Sequence, residues 1–468
     1  MSRGGHPLGL FKELHIMEKT QNFTEGKILS PLLRFTLPVL FALFLQAMYG
    51  AADLLIVGRF GGEMADVFVS AVSTGSQIMM TLTFVIVGIA MGLTVYVGEK
   101  IGAGRGDEAG EIIGSGITLF AIVSVVASVI MVLASSGVAK IMQAPEEAFR
   151  DTVLYIAICS AGILFIVAYN LVGSIFRGIG DSKIPLITVA IACVLNVLGD
   201  LLLVAVFNLG AAGAAIATIF AQAASVLLSL IIIKKRKLPF LFSRKHLRPK
   251  AFHIRRILKL GIPIALQDLL VSISFLAILA IVNDIGLIES AGLGVAEKVC
   301  AFIMLIPSAF MQSMSAFVAQ NIGAGRYDRA KKALWYGIAT SFAVAVVIGC
   351  FSFFRGDILA GMFAKDAAII APAAEYLKAY AIDCLFTAFL FCFIGYFNGC
   401  GKTTFVMVQG IVGGICIRLP VSWLMSKVEP VSLFHIGLAT PISTLIQILL
   451  CGAVYIYLNA EQKRSGRI

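Results

Sequence analysis

Twelve apolar runs recur along this chain, each about 20 residues or longer and so able to cross roughly 30 Å of hydrocarbon as a helix. They lie at about 31–57, 67–98, 111–135, 151–175, 184–207, 211–234, 256–283, 288–319, 333–354, 373–396, 403–425 and 434–458. At 59% hydrophobic and 13% charged residues, the 468-residue chain lacks the polar surface that a soluble globule needs. Short alternating strands, the mark of a membrane barrel, are absent. The expected fold is an all-α integral membrane protein with twelve transmembrane helices.

The runs come in two sets of six. Ile-Gly-Ala-Gly-Arg stands at 101–105 and again at 322–326. From this anchor an offset of 221 pairs Asp107 with Asp328, and Phe176 to Gly180 with Phe397 to Gly401. Upstream the offset is 225, pairing Pro38 with Pro263, Val57 with Val282 and Gly61 with Gly286. A repeat of six spans re-enters the membrane in the orientation of the first. The halves are therefore expected as two parallel six-helix bundles, related about an axis along the membrane normal. That arrangement is common in secondary transporters, where bundles rock about a site near mid-membrane. The expected organisation is a tail over 1–30, an N-lobe over 31–235, a basic linker over 236–255, a C-lobe over 256–460 and a C-tail over 461–468.

Positive charge tests the topology, since Lys and Arg collect in cytoplasmic loops. With both ends on one side, 28 of the 37 Lys and Arg fall there and 7 fall opposite, while Lys298 and Arg418 lie inside spans. Both termini are expected to be cytoplasmic, with no cleaved leader before the first span. The richest basic cluster, 234–259, reads as a linker held near anionic lipid, without the aromatic or fold signature of nucleic-acid binding. The nine cysteines lack CxxC spacing and read as packing residues. No HExxH occurs, and intramembrane His is lacking, which disfavours a zinc hydrolase or a membrane-embedded enzyme.

Two motifs read as scaffold. Gly88/Gly92, Gly395/Gly399 and Gly410/Gly414 are GxxxG pairs suited to close helix contacts within each bundle. Gly399-Cys400-Gly401-Lys402-Thr403 ends like a phosphate-binding loop, but Tyr396 stands where its first glycine is required. It reads as a tight interhelical turn, and nucleotide-driven pumping loses its support.

Ionisable groups inside spans are costly unless paired, hydrated or used, so they carry the functional signal. Asp53 lies in span 1 and Asp200 in span 5, four residues after Asn196 on the same helix face; Thr218 lies in span 6. Two carboxylates, an amide and a hydroxyl suit a hard monovalent cation, or a proton shared between carboxylates that resist ionising together. The plain alternative is a carboxylate pair hydrogen-bonded to loosened backbone. The counterparts in the second half are Ile278, Arg418 and Ser422 for Asp53, Asn196 and Asp200, so the acidic set is confined to the first. The second half has its own buried charges: Asp268 beside Gln267, Glu297 beside Lys298, Asp383 and Arg418. Mutual neutralisation and a substrate-facing network both suit them.

These residues carry a family resemblance over about 31–458. Pro38, Tyr49-x-x-x-Asp53-x-x-x-Val57-Gly58-Arg59-x-Gly61, Phe176-Arg177-Gly178-Ile179-Gly180-Asp181-Ser182-Lys183, Asn196-x-x-x-Asp200 and Gly213-Ala214-Ala215-x-Ala217-Thr218 together resemble the MATE (multidrug and toxic compound extrusion) family, in particular its bacterial DinF-like branch. The resemblance implies a secondary, cation-coupled antiporter that exports drug-like, often cationic small molecules, coupled to H⁺ or Na⁺. It implies no cofactor, no nucleotide and no nucleic acid, and a monomer surrounded by membrane lipid. It places the coupling site at Asp53, Asn196, Asp200 and Thr218, with span 1 bending at Pro38. The chain departs from other branches in span 7, where Val271 replaces an acidic residue and Asp268 lies about one turn earlier. A lipid-linked flippase of the same superfamily is the alternative. A major-facilitator transporter also has twelve spans, but its loop signature is not reproduced at Gly102 to Asp107.

Overall fold

A computed structural model describes residues 23–235 and 242–464, and these are helical almost throughout. Eleven helices are each long and apolar enough to cross a membrane, and a pair bent by 53° makes a twelfth crossing. In the first half they are α1 (Leu29–Phe60), α2 (Gly62–Gly102), α3 (Gly106–Ile141), α4 (Glu146–Ala161 with Ile163–Gly178), α5 (Lys183–Val206) and α6 (Gly210–Lys235). The second half has α7 (Ala251–Asn283), α8 (Leu287–Gly323), α9 (Tyr327–Gly361), α10 (Ala367–Gly399), α11 (Thr403–Met425) and α12 (Leu433–Arg464). Each expected run is thus a helix, extended past its apolar stretch because intrahelical bonds keep satisfying the backbone beyond the hydrocarbon. Residues 1–22 of the expected tail, 236–241 of the linker and 465–468 of the C-tail lie outside the described residues.

The end of the linker is more structured than its charge suggests. Residues 251–255 already belong to α7, and one turn at Arg244–Leu247 precedes them. That turn lies on α3: Thr118 Oγ1 donates to the Leu247 carbonyl at 2.7 Å, and the Lys250 amide donates to Ser115 Oγ at 3.3 Å. Lys250 Nζ meets Glu111 at 2.6 Å, and His253 of α7 stands between Glu111 and the Tyr96 hydroxyl. The basic segment that joins the halves is therefore strapped to the first half by protein contacts.

The repeat is visible in how the halves meet. Gly102 packs on the backbone of Gln320, and Gly323 packs on the backbone of Glu99, so a Cβ at either glycine would overlap a neighbouring carbonyl. Glu99 and Gln320 are themselves 221 apart, so this is one contact made twice across the pseudo-two-fold axis. The following turns match as well, with Gly104 at φ 71° and Gly325 at φ 70°, a left-handed conformation that glycine adopts without a Cβ penalty. Around this crossing α2 is buried on nearly every side from Ala90 to Gly98, and α8 from Gln312 to Asn321. The structure is closed on the basic face.

Glycines set the other close approaches. Gly88 and Gly92 rest on Ala265 and on Gly261 of α7, so this pair joins the two halves, contrary to its expected place within one bundle. Gly395 and Gly399 pack on α8, and Gly410 packs on α7, within the second half as expected. α1 belongs to both halves. Leu32, Phe35 and Val39 at its start join a core with Phe317, Leu334 and Phe397, whereas Val57 near its end joins the first-half core with Val72, Leu93 and Tyr155. The change of partner falls between Leu43 and Leu54; Pro38 lies before it, and α1 is continuous over Leu29–Phe60.

Candidate functional site

The sequence-predicted N-terminal set is assembled by three helices. Asp53 of α1, Asn196 and Asp200 of α5 are 5%, 1% and 0% exposed, so none can rely on bulk water. Thr218 of α6 joins them: its hydroxyl donates to Asp53 Oδ2 at 3.2 Å and accepts from Asn196 Nδ2 at 3.3 Å. Small residues make this meeting possible, because Gly199 would place a Cβ 3.0 Å from the methyl of Ala217, one residue away from Asp200 and Thr218 on their helices. Directly after Asp200 the helix widens into a π turn over Leu201–Val206, a local loosening found often at functional sites.

The directions of these bonds matter. With the Thr218 hydroxyl committed to Asp53 and the Asn196 amide to Thr218, Asp53 Oδ1, Asn196 Oδ1 and both Asp200 oxygens are buried without a donor. The Asp53 and Asp200 carboxyls are direct neighbours, and among the described residues no Lys, Arg or His pairs with either. Two adjacent carboxylates facing four unmet acceptors in low dielectric need a positive charge, and either a proton or a hard cation meets that need.

Sequence reasoning missed three flanking residues. Tyr49, one turn before Asp53, stands beside Gln222, one turn after Thr218. Tyr155 of the bent helix α4 lies near Asp53 and Asp200. Tyr49 and Gln222 carried a usable signal, since Tyr49–Asp53, Asn196–Asp200 and Thr218–Gln222 are all i, i+4 pairs on one helix face. Tyr155 carried none: it is brought in by the fold, where Gly75 of α2 leaves room for its ring.

The second half is arranged differently. Arg418 of α11 is buried, donates to Ser274 Oγ at 3.3 Å and lies 4.6 Å over the Phe275 ring. Asp383 of α10 is its neighbouring carboxylate, with Thr444, Tyr376 and Tyr380 close by. Ile278, the counterpart of Asp53, is 1% exposed in apolar core. The other predicted residues do not complete one network. Glu297 lies nearer Tyr376 and Cys300, Lys298 is exposed, and Gln267 fills the space above Gly410. Asp268 meets no charged partner among the described residues.

Twelve crossings in two like-oriented halves, with buried polar groups held in each half, have the build of a membrane transporter. The family model MatE matches residues 38–202 and 263–424, one segment in each half. The chain belongs to this family, as a multi-span transporter and not an enzyme. It is 28% identical over 409 residues to the probable multidrug resistance protein YpnP of Bacillus subtilis (strain 168), covering 87% of this chain and 91% of that one. It is 24% identical to the multidrug export protein MepA of Staphylococcus saprophyticus over 423 residues, 87% and 90% of the two chains. Its fold matches the crystal structure of MATE in complex with MaL6 with a TM-score of 0.87 at 18% identity, over 96% of this chain and 99% of that one. The outward-facing conformation of a multidrug resistance MATE family transporter gives the same TM-score at 19% identity, with the same coverage.

Proposed function

We propose that this protein exports drug-like, often cationic compounds across a bacterial plasma membrane in exchange for H⁺ or Na⁺, by alternating access between an N-lobe over 31–235 and a C-lobe over 256–460. The reading places both termini and the Ile-Gly-Ala-Gly-Arg turns in the cytoplasm, following the bias of Lys and Arg. The observation that carries it is the buried pair Asp53 and Asp200, which shares four donorless oxygens with Asn196 and has no counter-charge among the described residues. A coupling ion supplies that charge when it binds and restores the deficit when it leaves, so occupancy changes the stability of the α1–α5–α6 contact. Between Leu43 and Leu54 α1 passes from one core to the other, and a shift at Asp53 is transmitted along it, with Pro38 as the bending point, to the second half.

The test is efflux of a fluorescent organic cation from proteoliposomes under a proton or a sodium gradient. Asp53→Asn and Asp200→Asn, reconstituted at equal abundance, should each abolish gradient-driven efflux. Undiminished transport by either variant overturns the coupling site, and parallel runs with each gradient alone identify the ion.

A further inference from the structure

A second charge in the first half, half-buried with its Nε enclosed, has no role in that reading. Arg177 lies at the basic end of α4, and its guanidinium folds back along the helix over Gly173, with Nη1 3.2 Å from where a Cβ at that glycine would stand. Its contacts are few. Nη2 donates to Ser174 Oγ at 3.1 Å, Nε is buried without a partner, and no carboxylate pairs with it among the described residues. A guanidinium partly withdrawn from water with no counter-charge beside it is costly to hold. Asp53, the nearest acid along α1, is seven residues beyond Gln46, about 10 Å away along the helix.

The guanidinium borders a cavity of about 40 Å³ between α1, α4, α5 and α8, enough for a few waters or one carboxylate or phosphate group. Donors converge on it. The Tyr169 oxygen accepts from Gln46 Nε2 at 2.9 Å, which leaves its own O–H free to donate, and the Gln312 amide from the other half lines the cavity without a hydrogen bond to any described residue. Val39 and Leu43 of α1 form an apolar wall beside these donors. The arrangement also belongs to one copy of the repeat, since Ile394 and Asn398 stand at the positions of Gly173 and Arg177.

We propose that this cavity binds the anionic headgroup of an amphiphile, a carboxylate or a phosphate ester, with Arg177 as counter-charge, Tyr169 and Gln312 as donors and the tail along Val39 and Leu43. The site stands on its own observations, separate from the carboxylate pair. It extends the cargo range to organic anions, which a site built only from acids would repel.

Equilibrium binding to the purified protein in phosphatidylcholine nanodiscs tests it, with dodecanoate, dodecyl phosphate and uncharged dodecanol as probes. The wild type should bind at least one anion roughly tenfold more tightly than the alcohol, the usual scale of one well-placed charge contact. The anion preferred identifies carboxylate or phosphate as the headgroup. Arg177→Gln should lower that affinity to the level of the alcohol, and Arg177→Lys should keep part of it. Gln312→Glu leaves Arg177 in place but supplies an internal carboxylate, and it should abolish the preference even if Arg177→Gln fails to fold. Asp53→Asn should leave the preference intact, which separates this site from the coupling site. Equal binding of all three probes by the wild type, or a preserved preference in Gln312→Glu, overturns the proposal.

Discussion

Asn196 and Arg418 occupy the same place in the two repeats, and the difference between them separates the two buried polar groups. In the first half a neutral amide stands with two carboxyls, and no cationic side chain among the described residues joins them. In the second half the guanidinium is covalently present, held by Ser274 and the Phe275 ring next to Asp383, and apolar Ile278 replaces the second acid. A tethered cation cannot leave, whereas a missing one can be exchanged. Duplication thus yielded two scaffolds of one shape with different charge arrangements, and only the first sets two carboxyls side by side.

The sharpest way to break this comparison is to remove one acid from each half. Asp200→Asn should lower gradient-driven efflux by about 100-fold or more, whereas Asp383→Asn should keep most of it, since a lost coupling interaction and a lost internal pair have different consequences. Equal losses in the proteoliposome assay would erase the distinction. Truncating the tethered cation comes next. Arg418→Ala should destabilise the protein by about 2 kcal/mol, below the usual ~3–5 for a directly contacting buried pair because no ion pair closes here. Thermal unfolding in detergent should show that loss, and most of it should return in the double variant Arg418→Ala/Asp383→Ala.

A substitution at the symmetric crossing sharpens what the two halves share. Gly102→Val and Gly323→Val each place a side chain against the opposing backbone, of Gln320 and Glu99. Both should shift the protein away from the state closed on the basic face, to similar extents, and a spin-label distance between the ends of α2 and α8 should lengthen. A response to only one of them would mean that the crossing is not functionally symmetric. The smallest effect is expected at Thr218→Ala, which removes one neutral hydrogen bond to Asp53 worth about 1 kcal/mol, or roughly fivefold in ion affinity. Half-maximal activation by the coupling ion should shift by that factor while maximal efflux holds.

Much of this was legible in the chain because bilayer physics is strict. An apolar run of sufficient length has few alternatives to a helix, and the i, i+4 spacing of Asn196 and Asp200 placed both on one face before any packing was known. The absence of an acid at Ile278 was equally plain, since it needed only the ruler of the repeat. Other residues gave no such sign. Tyr155 lies near the carboxyls only because α4 bends at Gly162 and Gly75 clears its path. Gly88 and Gly92 are an ordinary packing motif in the sequence, and nothing local says that their partner is α7 of the other half.

By itself the sequence determined the membrane class, the twelve crossings, the two parallel halves and that Asp53 and Asp200 have no acidic counterparts in the second half. These follow from hydropathy, length and internal comparison, each readable along one dimension. Only the tertiary structure decided which oxygens lack donors, that α1 changes core between Leu43 and Leu54, that the linker is strapped to α3 and that half-buried Arg177 meets no counter-ion among the described residues. Those facts depend on contacts between helices far apart in the chain, where a glycine permits approach and a neighbour supplies or withholds one hydrogen bond.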